Sequence, residues 1–172
     1  MPSLVVQAIE SISGFRALEA EWRGLFASSD PLLPFSTFDW ADCWWEHFAQ
    51  QGLLRADHLY VCVVRDVTGE VLGIAPLMET HRPGVGPVKS RALQFFGADR
   101  NLTEIRTVLC APNRQREVFR ALLDHVSQRK DDWIHWAAVP DSCMDDLHAA
   151  PGLLFDREIP DYILPLPESW DA

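Results

Sequence analysis

The amino-acid sequence predicts an α+β fold, a mixed and mostly antiparallel sheet with helices on both faces. Three observations lead to this prediction. A short β-prone opening precedes two amphipathic helical segments, hairpin-connected β-prone runs fill the middle of the chain, and a later helix leads into a further strand. Since the chain has 172 residues and 48% of them are hydrophobic, residues 1–168 are expected to form one domain with its own core.

An apolar periodicity and a capping signal predict the first two helices. Residues 3–9 are β-prone and open the fold. Apolar side chains then recur every three or four positions, at Phe15, Leu18, Trp22, Leu25 and Phe26. This spacing predicts a helix over 15–27. A second helix is expected to start at a capping box, in which the Ser36 hydroxyl and the Asp39 carboxylate satisfy backbone donors, and to end near Gly52.

Hairpins dominate the middle of the chain. The β-prone run 59–64 and the run from Val71 flank Gly69, which supplies the positive φ that a short turn requires. Pro76 lies inside the second run, where it predicts an edge or a bulge. A loop is expected over 81–87. The later predicted elements are strands over 91–96 and 105–109, a helix over 115–130, a strand over 133–139, a short helix over 141–148 and two last strands over 153–156 and 162–166.

The charge balance argues against two classes of binding protein. With 25 acidic and 15 basic side chains the net charge is −10, whereas a protein dedicated to nucleic acid or to anionic membranes needs a basic surface. No apolar run reaches the roughly 18 residues of a membrane span, and the opening residues lack the positive charge of a signal peptide. The cysteines, Cys43, Cys62, Cys110 and Cys143, form no CxxC pair. Their spacing predicts no zinc knuckle or redox motif, and a reducing cytoplasm is the expected compartment.

Several segments carry a resemblance to a known family. They are Pro34–Trp40 with Trp44–Phe48, Gly73–Leu77, Leu93–Gly97, and Ala111–Asn113 leading into Phe119–Leu123. In this order they resemble the amino-terminal lobe of the CelD-like, FemAB-related branch of the GNAT acyltransferases, over roughly residues 4–168.

The resemblance implies an activity and partners. Proteins of that branch have two GNAT-like lobes, of which the second carries the acetyltransferase signature. The whole protein would then transfer an acyl group from acetyl-CoA to a small-molecule amine acceptor. This lobe would meet a second GNAT-like lobe, or a homo-oligomer partner, through an exposed apolar patch. Residues 169–172 would begin a linker or a truncated second lobe.

The same resemblance singles out the segment before the helix expected at 115. A catalytic GNAT lobe has a (Gln/Arg)-x-x-Gly-x-(Gly/Ala) loop there, and its bare backbone amides hold the pyrophosphate of acetyl-CoA. Residues 108–117 of this chain contain no glycine, so side chains replace those bare amides. The candidate cofactor-binding residues are Asn113, Arg114, Gln115 and Arg116.

Three functions follow as hypotheses. The first is a lobe with a structural and substrate-cleft role, without its own acetyl-CoA site. The second is a self-sufficient N-acetyltransferase in which Arg114 and Arg116 replace the missing backbone donors. The third is a non-catalytic binding module. Because a fold does not determine a function, the choice of the first rests on the resemblance.

Reactive and aromatic side chains of the second helix are interpreted as packing groups. Cys43 and His47 are four residues apart, the minimum for a nucleophile with a base, but no orienting group or oxyanion hole can be assigned to them. Core packing is predicted for at least two of Trp40, Trp44 and Trp45, since large aromatics dominate burial.

The remaining polar candidates are also interpreted as structural. His81 and His135 lie on predicted strands and are expected to be hydrogen-bonded histidines rather than general bases. Helix capping and solvation account for the carboxylates at Asp131, Asp132, Asp141, Asp145 and Asp146. No spacing typical of metal ligands is visible.

Overall fold

The computed structural model describes residues 4–29, 33–84, 89–98 and 106–136. Within these ranges the chain forms helices and strands in two mostly antiparallel sheets, which confirms the α+β class. The strands are β1 (Val5–Ile9), β2 (Ala56–Leu59), β3 (Val61–Arg65), β4 (Val71–Ala75), β5 (Leu77–Pro83), β6 (Lys89–Phe95), β7 (Leu109–Cys110) and β8 (Trp133–His135). The helices are α1 (Ile12–Ala17), α2 (Glu19–Ala27), α3 (Phe38–Phe48) and α4 (Gln115–Ser127), with a 3₁₀ turn at Pro34–Ser36.

The first helical segment differs from its prediction at its start and its middle. It begins at Ile12 because Ser11 caps it: the Ser11 Oγ accepts the Gly14 N–H at 3.1 Å. The helix is interrupted at Leu18, so that α1 and α2 replace the single helix expected over 15–27. The predicted apolar face is right, since Phe15, Leu18, Trp22 and Leu25 are all buried.

The capping box predicted for α3 is wrong. Thr37 caps this helix, with its Oγ1 accepting the Trp40 N–H at 3.2 Å. Ser36 belongs to the preceding 3₁₀ turn, and its carbonyl accepts the Trp22 indole N–H at 2.9 Å. The Asp39 carboxylate forms a bidentate contact with the Arg23 guanidinium of α2. The helix ends at Phe48, earlier than the expected stop near Gly52.

Two sheets form where one was expected. The strand orders are β1-β3-β4-β7 and β2-β5-β6-β8, and the pairing of β6 with β8 is parallel. A single bent hairpin contributes to both sheets, because the Tyr60 N–H donates to the Leu77 carbonyl at 3.0 Å and so links the ends of its two halves. The turn of this hairpin contains Gly69 at φ 91°, as predicted.

Pro76 lies where the two sheets separate. Alternate residues of a strand direct their backbone groups toward the same neighbour. Ile74 pairs with Leu109 of β7, and two residues later the Pro76 carbonyl accepts the Phe96 N–H at 2.8 Å. An N–H at position 76 would point into the gap between those neighbours, and proline has none. The expected irregularity at Pro76 is therefore the point along the hairpin at which the neighbouring strand changes from β7 to β6.

Helices cover both faces of the hairpin, as predicted. In β3, Cys62 and Val64 belong to the core under α4, whereas Val61 and Val63 belong to the core under α1, α2 and α3. Neighbouring side chains of a strand point to opposite faces, so one strand serves both cores.

The other predicted elements differ in length. β5 extends to Pro83 and pairs there with Lys89, so the loop expected from 81 starts later. The strand expected over 105–109 is confined to Leu109–Cys110 among the described residues, and α4 ends at Ser127 rather than at 130. The strand expected over 133–139 extends beyond the described residues, and the elements expected at 141–148, 153–156 and 162–166 lie outside them. Among the described residues, none of the helices has the length and apolarity that crossing a bilayer requires.

Replacement of Gly73 by alanine tests how α4 packs on β4. A Cβ at Gly73 would lie 2.3 Å from the Val118 Cγ1 and 3.3 Å from the Leu109 carbonyl. Gly73→Ala is expected to lower the free energy of unfolding by about 1–3 kcal/mol, measured by urea denaturation, because this contact is overpacked.

Two further variants make the Gly73 test specific. Gly24 is exposed in α2 with no atom within 4 Å of an added Cβ, so Gly24→Ala is expected to stabilise the protein by about 0.5–1 kcal/mol. Val118→Ala should recover much of the loss in the Gly73→Ala background. Equal stabilities of Gly73→Ala and the wild type would contradict the packing argument.

Candidate functional site

A small cavity lies at the separation of the two sheets. Its volume is about 20 Å³, which is enough for one water-sized group. Residues of the helical layer, the hairpin and the segment before β7 line it, among them Trp22, Phe35, Trp40, Pro76, Phe96 and Arg106. The cavity therefore exists because Pro76 lets the two neighbouring strands diverge.

The helical wall of the cavity is held by aromatic packing. Trp22 is buried and fixed at its polar end by the hydrogen bond to the Ser36 carbonyl. Phe15 stacks on Phe38 with ring centroids 5.2 Å apart and meets Trp22 edge-on at 5.9 Å. Trp40 meets Phe35 edge-on at 5.1 Å. Since such rings interdigitate at fixed angles, this wall is preorganised.

The opposite rim of the cavity carries a cation. The Arg106 Nε donates to the Gly97 carbonyl at 2.6 Å, and Gly97 follows β6 with φ 70°, a conformation that favours glycine. This bond ties the chain after β6 to the chain before β7. Arg106 and its neighbour Thr107 are both among the residues that line the cavity.

The four candidate cofactor residues lie together at the start of α4. Asn113 has φ 61°, and the Arg114 N–H closes a turn on the Ala111 carbonyl at 3.0 Å. The Arg114 side chain donates to both oxygens of Glu117 at 2.9 Å. Gln115 and Arg116 lie in the exposed first turn of α4.

The ion pair with Glu117 reduces the capacity of Arg114 to bind an anion. A bidentate carboxylate satisfies the fork of the guanidinium and neutralises its charge. The i,i+3 spacing of Arg114 and Glu117 is the sequence signal for this pair. A role of these residues in binding acetyl-CoA stays a prediction.

The pair of Cys43 and His47 is not joined by a hydrogen bond within the part of the chain that the structure describes, and both side chains are exposed. Burial raises the pKa of the Cys62 thiol to about 12, which makes this cysteine a poor nucleophile at neutral pH.

The three tryptophans of α3 differ in burial. Trp44 is buried and stacks near Phe96 with centroids 5.9 Å apart, while Trp45 is partly buried against the same ring at 5.1 Å. Trp40 is partly buried and lines the cavity. Trp44 and Trp45 therefore contribute to the core, and Trp40 is the one of the three that contacts the candidate site.

A polar cluster missed by the sequence analysis surrounds His81. The His81 Nε2 is hydrogen-bonded to Glu79, and the other oxygen of Glu79 accepts from Arg129. Arg129 also bonds both oxygens of Asp131, its Nε at 2.5 Å and its Nη2 at 3.0 Å. Its Cζ lies 3.7 Å from the centre of the Tyr60 ring. His81 thus has the hydrogen-bonded partner that a structural histidine requires.

Two pKa shifts accompany this cluster. Burial alone would raise the pKa of Glu79, but the hydrogen bond with His81 and the charge of Arg129 outweigh it and hold the pKa below its ordinary value. Burial, with the nearby charge of Arg129, lowers the pKa of His125, whose Nε2 lies 2.9 Å from the Tyr60 hydroxyl. The local signal for the cluster was the Glu79-x-His81 alternation on one strand face, but Arg129 is 50 residues away from Glu79.

A second buried network was also missed. The Asp57 carboxylate is fully buried and accepts from the Thr80 hydroxyl at 2.6 Å, the Gln50 N–H at 2.9 Å and the Arg55 Nε at 3.2 Å. The Gln94 amide donates to the same Thr80 hydroxyl at 2.6 Å. Together these contacts join the turn after α3 to the second sheet, which identifies the network as structural.

The remaining expectations concern His135, metal ligands and a docking patch. His135 is exposed on β8. Within the described ranges no group of three His, Cys, Asp or Glu side chains is arranged to hold a metal ion. Large exposed apolar side chains occur at Val5, Ile12, Phe48, Leu53, Leu54, Val67 and Trp133. A docking patch for a second lobe stays a prediction.

Comparisons with known proteins give little further information. No family model matches the chain, and no curated protein matches it. A mutant of the BH1408 protein from Bacillus halodurans matches with a TM-score of 0.43 and 13% identity, covering 94% of this chain and 99% of that chain. A tetramutant of the same protein matches with a TM-score of 0.43 and 13% identity, over 93% and 99% of the two chains. A likeness of this size carries no conclusion about fold or activity.

Replacement of Glu79 tests the charged cluster. Because the pKa of Glu79 is lowered in the folded protein, the unfolded chain binds this proton first, so the carboxylate stabilises the fold above pH ~4.3 and loses that effect as the pH falls through the folded pKa. Glu79→Gln is expected to lower the free energy of unfolding by about 1–3 kcal/mol at pH 7.

The pH dependence distinguishes this effect from a packing defect. The difference between Glu79→Gln and the wild type should narrow as the pH falls below ~4 in urea denaturation series. Glu70→Gln, at an exposed carboxylate of the hairpin turn, is the matched control and should stay near the wild type throughout. A Glu79→Gln deficit of constant size from pH 7 to pH ~3 would show that charge is not its cause.

Proposed function

We propose that this chain is the acceptor-side lobe of a GNAT-like acyltransferase, which shapes the cleft for a small amine and leaves acetyl-CoA to a second lobe. The observation that carries the proposal is the glycine-free loop before α4, in which Arg114 is neutralised by Glu117. The resemblance of the four sequence segments supplies the class of reaction.

The loop lacks what a pyrophosphate needs. Pyrophosphate binding at a helix start requires several backbone N–H groups that the anion can approach closely. Pro112 has no N–H, and the Arg114 N–H is occupied by the Ala111 carbonyl. The Arg114 side chain cannot substitute for these donors without losing its bidentate contact with Glu117.

The cavity suits the acceptor side of an acyl transfer better than the cofactor side. It is narrow, and most of its described lining residues are aromatic or aliphatic. A net charge of −10 favours the approach of an amine, which is protonated and cationic at neutral pH. Aromatic faces such as that of Trp40 attract an ammonium group.

Acetyl-CoA titration tests the absence of a cofactor site. Isothermal titration of acetyl-CoA into the chain is expected to give no saturable heat, which corresponds to a dissociation constant above about 1 mM. Desulfo-CoA, which keeps the pyrophosphate, serves as the comparison and should behave in the same way.

Micromolar binding in this titration would overturn the proposal. If that binding were then lost in Arg114→Ala and Arg116→Ala, it would support the self-sufficient acetyltransferase instead. If it survived both substitutions, the cofactor would bind elsewhere in the chain, and the assignment of residues 113–116 would be wrong.

Amine titration tests the cleft. Adding methylamine to the ¹⁵N-labelled chain is expected to shift the backbone amide signals of Phe96 and Thr107, which border the cavity, with a dissociation constant of about 10 mM or weaker for so small a ligand. Methanol has nearly the same size without the ammonium group and should shift them less. Equal shifts with both compounds, or shifts elsewhere only, would contradict an amine site at this cavity.

A further inference from the structure

Among the residues that the structure describes, the outer edge of β1 carries no charge, proline or bulge, which are common ways of protecting an edge strand. β1 ends the strand order β1-β3-β4-β7 in the described part of the chain. Its five residues, Val5–Ile9, include no charge and no proline, and their register with β3 is unbroken. Val5 is 57% exposed. An uncharged, regular edge of this kind is a template for another strand.

A groove runs beside this edge. It lies between β1 and α4, has a volume of about 360 Å³, and has Leu4 and Val6 on its strand side. Arg120 and Asp124 line its helix side, one turn apart and exposed. Although an i,i+4 spacing allows them to pair, they form no ion pair or hydrogen bond with each other or with other described side chains.

We propose that this surface binds a second copy of the chain. Two β1 strands pair antiparallel about a two-fold axis near Gln7 and join two four-stranded sheets into one. Five-residue strands overlap fully only in this register, which sets Val5 opposite Ile9 of the partner subunit and Gln7 opposite its own copy. The inference does not depend on the proposed acyl transfer.

The charges of the groove favour a second copy over an unrelated peptide. A two-fold axis beside β1 places α4 antiparallel to its copy on the same face of the joined sheet. Arg120 then faces Asp124 of the partner subunit, and the reverse pair forms at the same time. A basic or an acidic peptide would satisfy one of these two side chains and oppose the other.

The proposal is tested by sedimentation equilibrium of the whole chain. The wild type is expected to be dimeric at micromolar concentration. Gln7→Lys sets two like charges directly opposite each other at the axis, while the exposed Gln7 side chain is dispensable for the fold of one copy. The dissociation constant of the dimer should rise by about tenfold or more, with unchanged far-ultraviolet circular dichroism.

A charge-complementation experiment makes the register falsifiable. Gln7→Glu alone should weaken the dimer as Gln7→Lys does, whereas an equimolar mixture of the two variants should associate, because opposite charges then meet at the axis. Val67→Lys adds the same charge at the exposed hairpin turn and should leave the dimer intact. A monomeric wild type, dimers unaffected by either Gln7 substitution, or a mixture that fails to associate would each overturn the proposal.

Discussion

The bend of the central hairpin at Tyr60 and Pro76 is the constraint on which the rest of the structure depends. Pro76 removes one backbone donor at the point where the neighbouring strand changes, and the Tyr60–Leu77 hydrogen bond keeps the two halves of the hairpin continuous. Two sheets can therefore diverge on one side while they remain joined on the other. The aromatic cavity and the rim at Arg106 occupy the space that this divergence leaves.

Helix α4 positions three separate surfaces of the molecule. Its first turn is set by the close approach of Val118 to Gly73, which only a residue without a side chain permits. From that contact the helix carries the loop of Asn113 at one end and the Arg129 cluster just beyond the other. Its middle forms one wall of the groove beside β1. Three separate surfaces thus depend on the packing of one helix.

Local patterns in the sequence predicted the elements whose cause is local. Apolar spacing identified the buried face of α2, Gly69 identified the turn, and Pro76 identified the irregular strand position. The cap predicted for α3 was wrong because the choice between Ser36 and Thr37 depends on Trp22. The indole N–H of this residue, which belongs to another helix, donates to the Ser36 carbonyl. That demand is tertiary, so no capping rule contains it.

In the candidate site, too, only the groupings that follow from local sequence were predictable. The grouping of Asn113, Arg114, Gln115 and Arg116 at a helix start follows from chain order alone, and the structure has it. The Glu79–Arg129 contact joins residues 50 positions apart, and only the tertiary fold, which brings the segment after α4 to β5, creates it. The two-residue length of β7 likewise depends on the hairpin bend, which ends its pairing at Leu109.

The buried carboxylate of Asp57 has a consequence for local motion. It accepts one hydrogen bond from the turn after α3, at the Gln50 N–H, and another from the sheet, at the Thr80 hydroxyl. Opening that turn would remove the Gln50 N–H from a fully buried carboxyl group, where a lost donor is costly, so the turn and the end of β2 are expected to open as one cooperative unit. The backbone amides of Gln50 and Asp57 should then exchange with deuterium at the same rate, although one lies in a turn and the other in a strand.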